Sequence, residues 1–411
     1  PGISLTYAKE EESPRSHRWP AINKAPFSVA LREAGYQTVY TGKWHLGDHN
    51  IRQYFDYTAA CDAAERDYSE WCRAHDLPDG FIFHDLERSK PYRSSHYPGM
   101  SLYRPGILDI PEDKEHNWWV LSHALELLAL QDPSRPVFAA LSFEGPHPPL
   151  VVPRKYYDMY DPADVRKPDN WDANIREPRF LEQAYYRRIR SEWSDDFEDW
   201  RKAIAVYWGY ITYIDSLFGR FLDRLAELKL LDDAIVVMLA DHGDMFGQHK
   251  LSQIFCPYDE VLRVPCVIRG SGIAPGTYCN FDTSHVDIAP TVMAAAGIDQ
   301  SGFDGENISP YLQGKIDPPA YRDCYCQYNV SDFFKQWQGV RNWRSLVRRP
   351  WKYVLHENGE AELFNLERDP DERDNVAGLH QTEMLQRELQ EALLIWSRES
   401  DDPFAQRVTL N

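Results

Sequence analysis

The sequence predicts an α/β chain with a smaller carboxy-terminal module, and three features predict it. The run Ala234-Ile235-Val236-Val237-Met238-Leu239-Ala240 is apolar and β-branched, which reads as a strand buried on both faces. Helical patterns alternate with further strand-like runs on either side of it. Near Leu312-Gln313-Gly314 the pattern changes to short, aromatic-rich strands closed by one helix. The chain is thereby divided into residues 1–314 and 315–411, and its 411 residues are enough for one large α/β domain and one small one.

The elements follow in order. Pro26 to Ala34 reads as a helix with Leu31 packed inward and Gly35 as its stop. Gly35 to Thr41 alternates apolar and polar residues like a short strand. Cys61 to Pro111 is irregular, an insertion or a substrate-facing region. Trp119 to Leu130 reads as an amphipathic helix and Pro136 to Phe143 as a buried strand, with His147 just beyond it. Pro153 to Trp200 is loop-rich. From Asp199 to Leu230 a stripe of Ala203, Tyr207, Tyr210, Ile214, Leu217, Phe221 and Leu225 marks a long helix packing into a core. Pro265 to Gly270 is a strand and Val286 to Ala296 a helix stopped by Gly297. Strands at 324–328, 345–348 and 351–355 precede a final helix from Gln381 to Arg398.

Two strand ends carry candidate chemistry. The run 234–240 ends in Asp241-His242-Gly243-Asp244. A carboxylate and an imidazole at a carboxyl end sit where open α/β sheets place ligands, and Gly243 lets the backbone turn away. The pair reads either as metal ligands or as a turn with a capping Asp. The run 35–41 delivers Gly42-Lys43-Trp44-His45-Leu46-Gly47. Lys43 and His45, two apart, share one face of an extended backbone and read as an anion site, or as a surface Lys beside a packed His.

GYQTVYTGKWHLG and ADHGDMFGQHKL together resemble the sulfatases of the alkaline phosphatase superfamily. The resemblance continues through Phe143-Glu144-Gly145-Pro146-His147-Pro148-Pro149, Arg263-Val264-Pro265 and Ser284 to Thr291. It ends with Trp351-Lys352-Tyr353 and Glu362 to Leu366 before Asp369-Pro370-Asp371-Glu372. The motifs keep family order over nearly the whole chain. The resemblance implies a large mixed sheet sandwiched between helices, alkaline phosphatase-like, with a small antiparallel sheet plus helix at the carboxy terminus.

It also implies roles. Asp241 and His242 become metal ligands for calcium first, with magnesium and manganese as alternatives. Lys43 contacts the sulfate and a formylglycine hydroxyl, and His45 orients that hydroxyl or takes its proton. His147 contacts the leaving-group oxygen and acts as general acid. The family's paired aspartates and its C/S-x-P-x-R segment, whose Cys or Ser becomes formylglycine, are expected upstream of this chain. Ser13-Pro14-Arg15-Ser16 lacks their spacing and reads as a loop. Where the family carries a second sulfate-binding Lys this chain has Ile254, with Lys250 four residues earlier, either reaching the substrate or solvated. Three functions follow: a sulfate ester hydrolase, a phosphonate or phosphate ester hydrolase of the same superfamily, or a non-catalytic fragment or pseudoenzyme.

A net charge of -19 argues against nucleic acid or an anionic membrane as partner, and no apolar run approaches a membrane span. The expected partner is a small-molecule or carbohydrate sulfate ester, with compartment and oligomeric state left open. An anionic substrate would be repelled by the body of the protein, so a metal and selected lysines must create its site. Seven scattered cysteines form neither a zinc pattern nor a disulfide scaffold, and Cys324 and Cys326 read as neighbours on one strand face. The triplets Asn307-Ile308-Ser309 and Asn329-Val330-Ser331 match the glycosylation pattern. Trp71, Tyr92, Tyr97, Tyr103, Trp171 and Trp193 either stack on a ring of the substrate or pack an outer layer.

Overall fold

The computed structural model describes residues 25–44, 51–60, 67–77, 103, 105–108, 110–172, 196–251, 253–270, 272–329 and 341–408. The chain divides into two compact units that interleave in sequence. The first takes residues 1–165, 201–235 and 286–307, and the second 166–200, 236–285 and 308–411.

The first unit is built on a three-stranded parallel sheet: β1 (Gln37–Gly42) lies between β2 (Tyr57–Ala60) and β3 (Val137–Ser142). The register pairs Tyr40 with Ala140 and Thr41 with both Ala59 and Leu141. Alternation then sorts side chains to two faces. On one, Tyr40 packs with Trp44, Ile51 and Phe55 and against Phe138 and Ala140. On the other, Ala59 packs with Trp119 and Val120 of helix α3 (His116–Ala129) and with Tyr68 and Cys72 of α2 (Asp67–Ala74). Helix α1 (Phe27–Glu33) precedes β1 and buries Leu31. The long helix α4 (Phe197–Glu227) buries Ala203, Tyr210, Leu217, Phe221 and Leu225, as the stripe predicts. Helix α6 (Ile288–Ala295) ends at Gly297, which takes a φ of +70°.

The second unit holds an antiparallel ribbon of β4 (Val236–Leu239) and β5 (Cys266–Arg269), and the short helix α5 (Asp259–Leu262) between them in sequence. Its larger sheet is antiparallel in the order β9-β8-β7-β6, with β6 at Cys324–Tyr328, β7 at Trp343–Arg348, β8 at Trp351–His356 and β9 at Ala361–Asn365. Helix α7 (Glu383–Glu399) lays Leu389, Leu393 and Leu394 on Leu346, Tyr353, Leu355 and Leu363. A second core gathers Met245, Leu251, Cys256, Tyr258, Val261, Phe364 and Leu366. Beside it the wholly buried Lys352 ammonium is neutralised by Asp259 at 2.8 Å and Glu372 at 2.5 Å, and Glu372 also accepts from the Asp259 N–H at 2.6 Å. This ties α5 to β8.

Strand burial departs from expectation in an instructive way. The alternating run 37–42 is buried at every position, because β1 has a strand on each side and helices over it. The apolar run 137–142 is half-buried instead, as is 236–238, and Leu239 is exposed. Each has one strand partner among the described residues. Apolar composition gave the strand type and not its place in the sheet.

Candidate active site

β1 and β3 converge at their carboxyl ends, and Gly42 makes this sterically feasible. A Cβ there would stand 1.9 Å from the Ser142 carbonyl oxygen, and its φ is +102°. The next residue, Lys43, is held by its backbone: its N–H donates to Ser142 O at 2.9 Å, and its carbonyl accepts from the Tyr40 hydroxyl. Trp44 anchors the turn edge-on to Tyr40, with ring centroids 5.3 Å apart. The Lys43 ammonium lies 3.5 Å from Glu144 Oε1, with both side chains about seven-eighths buried (13% and 12% exposed).

The same Glu144 oxygen lies 4.0 Å from His147 Nδ1. That nitrogen donates to Pro148 O at 2.5 Å, while the His147 N–H closes a turn onto Glu144 O at 3.1 Å. The bond to Pro148 assigns the proton to Nδ1 and leaves Nε2 as the nitrogen available for proton transfer. The His147 side chain is 40% exposed, so a ligand can reach it.

A buried network braces this loop. Gly145 N–H donates to Asn117 Oδ1 at 3.0 Å, and a Cβ on Gly145 would fall 2.5 Å from the Tyr210 ring. The Asn117 amide donates to Glu115 at 2.7 Å and to the Tyr210 oxygen at 3.1 Å. Glu115 caps α3 by accepting from the Asn117 and Trp118 N–H groups, and takes a further bond from the Tyr213 hydroxyl at 2.8 Å. Burial pushes the Glu115 carboxyl up to about 7, against the pull of these donors. Burial, and then the Lys43 charge, push the neighbouring His116 down to about 3, which keeps it neutral.

The other strand end lies in the second unit. Beyond β4, Ala240 O accepts from His285 Nε2 at 2.8 Å. The Asp241 carboxylate is 72% exposed, and its Oδ1 accepts from the His242 N–H at 3.0 Å. His242 Nδ1 donates to Gly243 O at 2.9 Å, which directs Nε2 to within 3.6 Å of Asp241 Oδ2. Gly243 is required here: its N–H bonds Val261 O at 2.8 Å, and a Cβ would meet Glu260 O at 1.9 Å. An imidazole with its second nitrogen tied to a backbone carbonyl, beside an exposed carboxylate oxygen, fits two adjacent ligands of a divalent cation. The described residues contain no group of three or more His, Cys, Asp or Glu side chains able to enclose an ion.

Lys250 (φ +57°) places its ammonium on Asp172 at 3.1 Å, a carboxylate shared with Lys167 at 2.6 Å, and 5.9 Å from the centre of the Trp171 ring. Ile254 packs against the Met245–Tyr258 core. Tyr103 and Trp171 are buried, and Trp71 stacks on His75. His45, the segment 13–16, Tyr92, Tyr97 and Trp193 lie outside the described residues. The structure thus brings Lys43 and His147 together, and Asp241 with His242. It adds Glu144, Glu115 and Asn117, which sequence reasoning missed. A carboxylate between the apolar run 136–143 and a Gly-Pro-His turn was the signal for Glu144.

The family model described as Sulfatase matches residues 12–298, and one described as N-sulphoglucosamine sulphohydrolase, C-terminal, matches 247–399. The chain is 26% identical to a choline-sulfatase of Rhizobium meliloti over 369 residues, covering 84% of this chain and 66% of that protein. It therefore spans about two thirds of that relative's length. Its fold is similar to the phosphonate monoester hydrolase of Agrobacterium radiobacter, with TM-score 0.76, 22% identity and coverage of 93% and 82% of the two chains. It is also similar to a structure solved with its substrate D-glucosamine-2-N,6-O-disulfate, with TM-score 0.68, 20% identity and coverage of 93% and 84%.

Proposed function

The chain belongs to the sulfatase family, and from that premise we propose that it hydrolyses a sulfate ester with a divalent cation and a formylglycine nucleophile carried by residues upstream of Pro1. The observation that supports this most is the gathering of Lys43 and His147 around one carboxylate at the carboxyl ends of adjacent parallel strands. Such a strand end is where an α/β sheet presents a ligand.

Each residue then has a role. The Lys43 ammonium binds the sulfuryl oxygens, where negative charge grows in the transition state. His147, with Nδ1 engaged by Pro148, carries a proton on Nε2 to the leaving-group oxygen as the S–O bond breaks. Asp241 and His242 hold two positions around the cation, calcium first and magnesium or manganese as alternatives. When bound, the cation neutralises sulfuryl charge and acidifies the nucleophile. His45 would assist that nucleophile, and Lys250 reaches substrate only by leaving Asp172. The similarity to a choline-sulfatase and to the structure solved with a disulfated glucosamine supports small-molecule and carbohydrate sulfates as the substrates to test.

The rival reading, a phosphonate or phosphate ester hydrolase, is favoured by Ile254, which packs into the core where the family carries its second sulfate-binding Lys. Release of inorganic sulfate from aryl and sugar sulfates, measured beside hydrolysis of an aryl phosphonate monoester, separates the two. Faster turnover of the phosphonate than of every sulfate ester would replace the sulfatase reading.

A further inference from the structure

We infer that Glu144 makes the Lys43 strand end selective for monoanionic substrates over dianionic ones. The inference rests on the reading of this strand end as the substrate-anion site. A sulfate monoester carries one negative charge, whereas a phosphate monoester of the same shape carries two at alkaline pH. The Lys43 ammonium is matched by Glu144 at 3.5 Å, and the adjacent His116 is wholly buried and uncharged. His147 lends its Nδ1 proton to Pro148 rather than to the substrate.

A Lys ammonium has three N–H groups, so it can keep Glu144 and still donate to a sulfuryl oxygen. The Glu144 carboxylate is largely shut off from water, with a side chain 12% exposed, so solvent screens it poorly. A second negative charge on the bound group then faces a fixed carboxylate a few ångströms away. Selectivity of this kind comes from a repulsive element built against the wrong ligand. Two bonds keep Glu144 in place for this role. The Asn117 bond to Gly145 fixes the backbone beside it, and the His147 N–H bonds its carbonyl.

The test needs no turnover. Benzenesulfonate and phenylphosphonate share a phenyl ring and a tetrahedral head, and at alkaline pH they carry one and two charges. Their affinities for the protein, for Glu144→Gln and for Glu144→Asp are measured by calorimetry in calcium-containing buffer. Glu144→Gln should shift the preference toward phenylphosphonate by about tenfold or more, the size of one poorly screened unit charge at this range. Glu144→Asp keeps the charge and should keep the native preference, which separates charge from packing. An unchanged preference in Glu144→Gln overturns the inference and leaves the anion site standing. Failure of both ligands to bind the native protein overturns the anion site itself, and the inference with it.

Discussion

The two candidate strand ends are built on opposite plans. At Lys43 the ammonium and Glu144 are nearly enclosed, and the backbone turns are fixed by Ser142, Tyr40, Pro148 and, through Gly145, the buried Asn117. At Asp241 the carboxylate is mostly in water, and the order comes from backbone bonds to Val261 and Gly243 rather than from a buried side-chain network. The first end is preorganised by the protein, as its proposed role in stabilising transient charge requires. The second holds its imidazole 3.6 Å from an exposed carboxylate, where the proposed cation would bind. Damage at the first should therefore reach stability as well as rate, and damage at the second should reach rate alone.

The largest effect that would sharpen this contrast is at Asp241. Asp241→Asn should lower sulfate ester turnover about a thousandfold, the several kcal/mol a metal supplies. Its unfolding free energy should change by less than about 0.5 kcal/mol, because the side chain is exposed. Urea titrations beside kinetics check both; a strongly destabilised variant would break the comparison. His147→Ala should cost about a hundredfold with poor leaving groups and much less with 4-nitrophenolate, which needs no proton. An equal loss across a series of aryl sulfates would remove His147 from the acid role.

Glu115 tests the braced end through pH. Its folded carboxyl sits near 7 against 4.5 for the ordinary group, so the folded state holds the proton more tightly than the unfolded one. Stability from this group is full below about pH 4.5 and is lost as pH rises through 7. The loss is on the order of 3 kcal/mol. Glu115→Gln should flatten that decline, read as urea midpoints across the range, and a slope identical to the native protein would contradict it. The smallest effect is expected at Lys250. Its partner Asp172 is largely solvent-exposed, so Lys250→Ala should shift stability by about 0.5 kcal/mol or less. Turnover of a simple aryl sulfate should hold, and a hundredfold rise in KM would instead make Lys250 a substrate contact.

Local pattern carried much of this architecture. The helical stripe from Ala203 to Leu225 and the strands at 324–328 and 351–356 are legible because burial on one face writes a period into the sequence. The pattern alone starts α3 three residues late, because a buried Glu caps it where Ser, Thr, Asp or Asn is usual. Sheet position was not legible either, since an apolar strand reads alike at a centre and at an edge. Lys43, His147, Asp241 and His242 stood out because they follow strands directly. Asn117 and Tyr213 did not, because their role arises from contacts across 28 and 98 residues of sequence.

The most direct measurement is kcat/KM for 4-nitrophenyl sulfate with the polypeptide as its own cell makes it, native against Lys43→Met. The predicted result is a loss of a hundredfold or more, roughly that of removing one preorganised charge partner from a transition state, in a protein that remains folded. Sulfate release at the native rate from Lys43→Met would contradict it and move the chemistry away from this strand end.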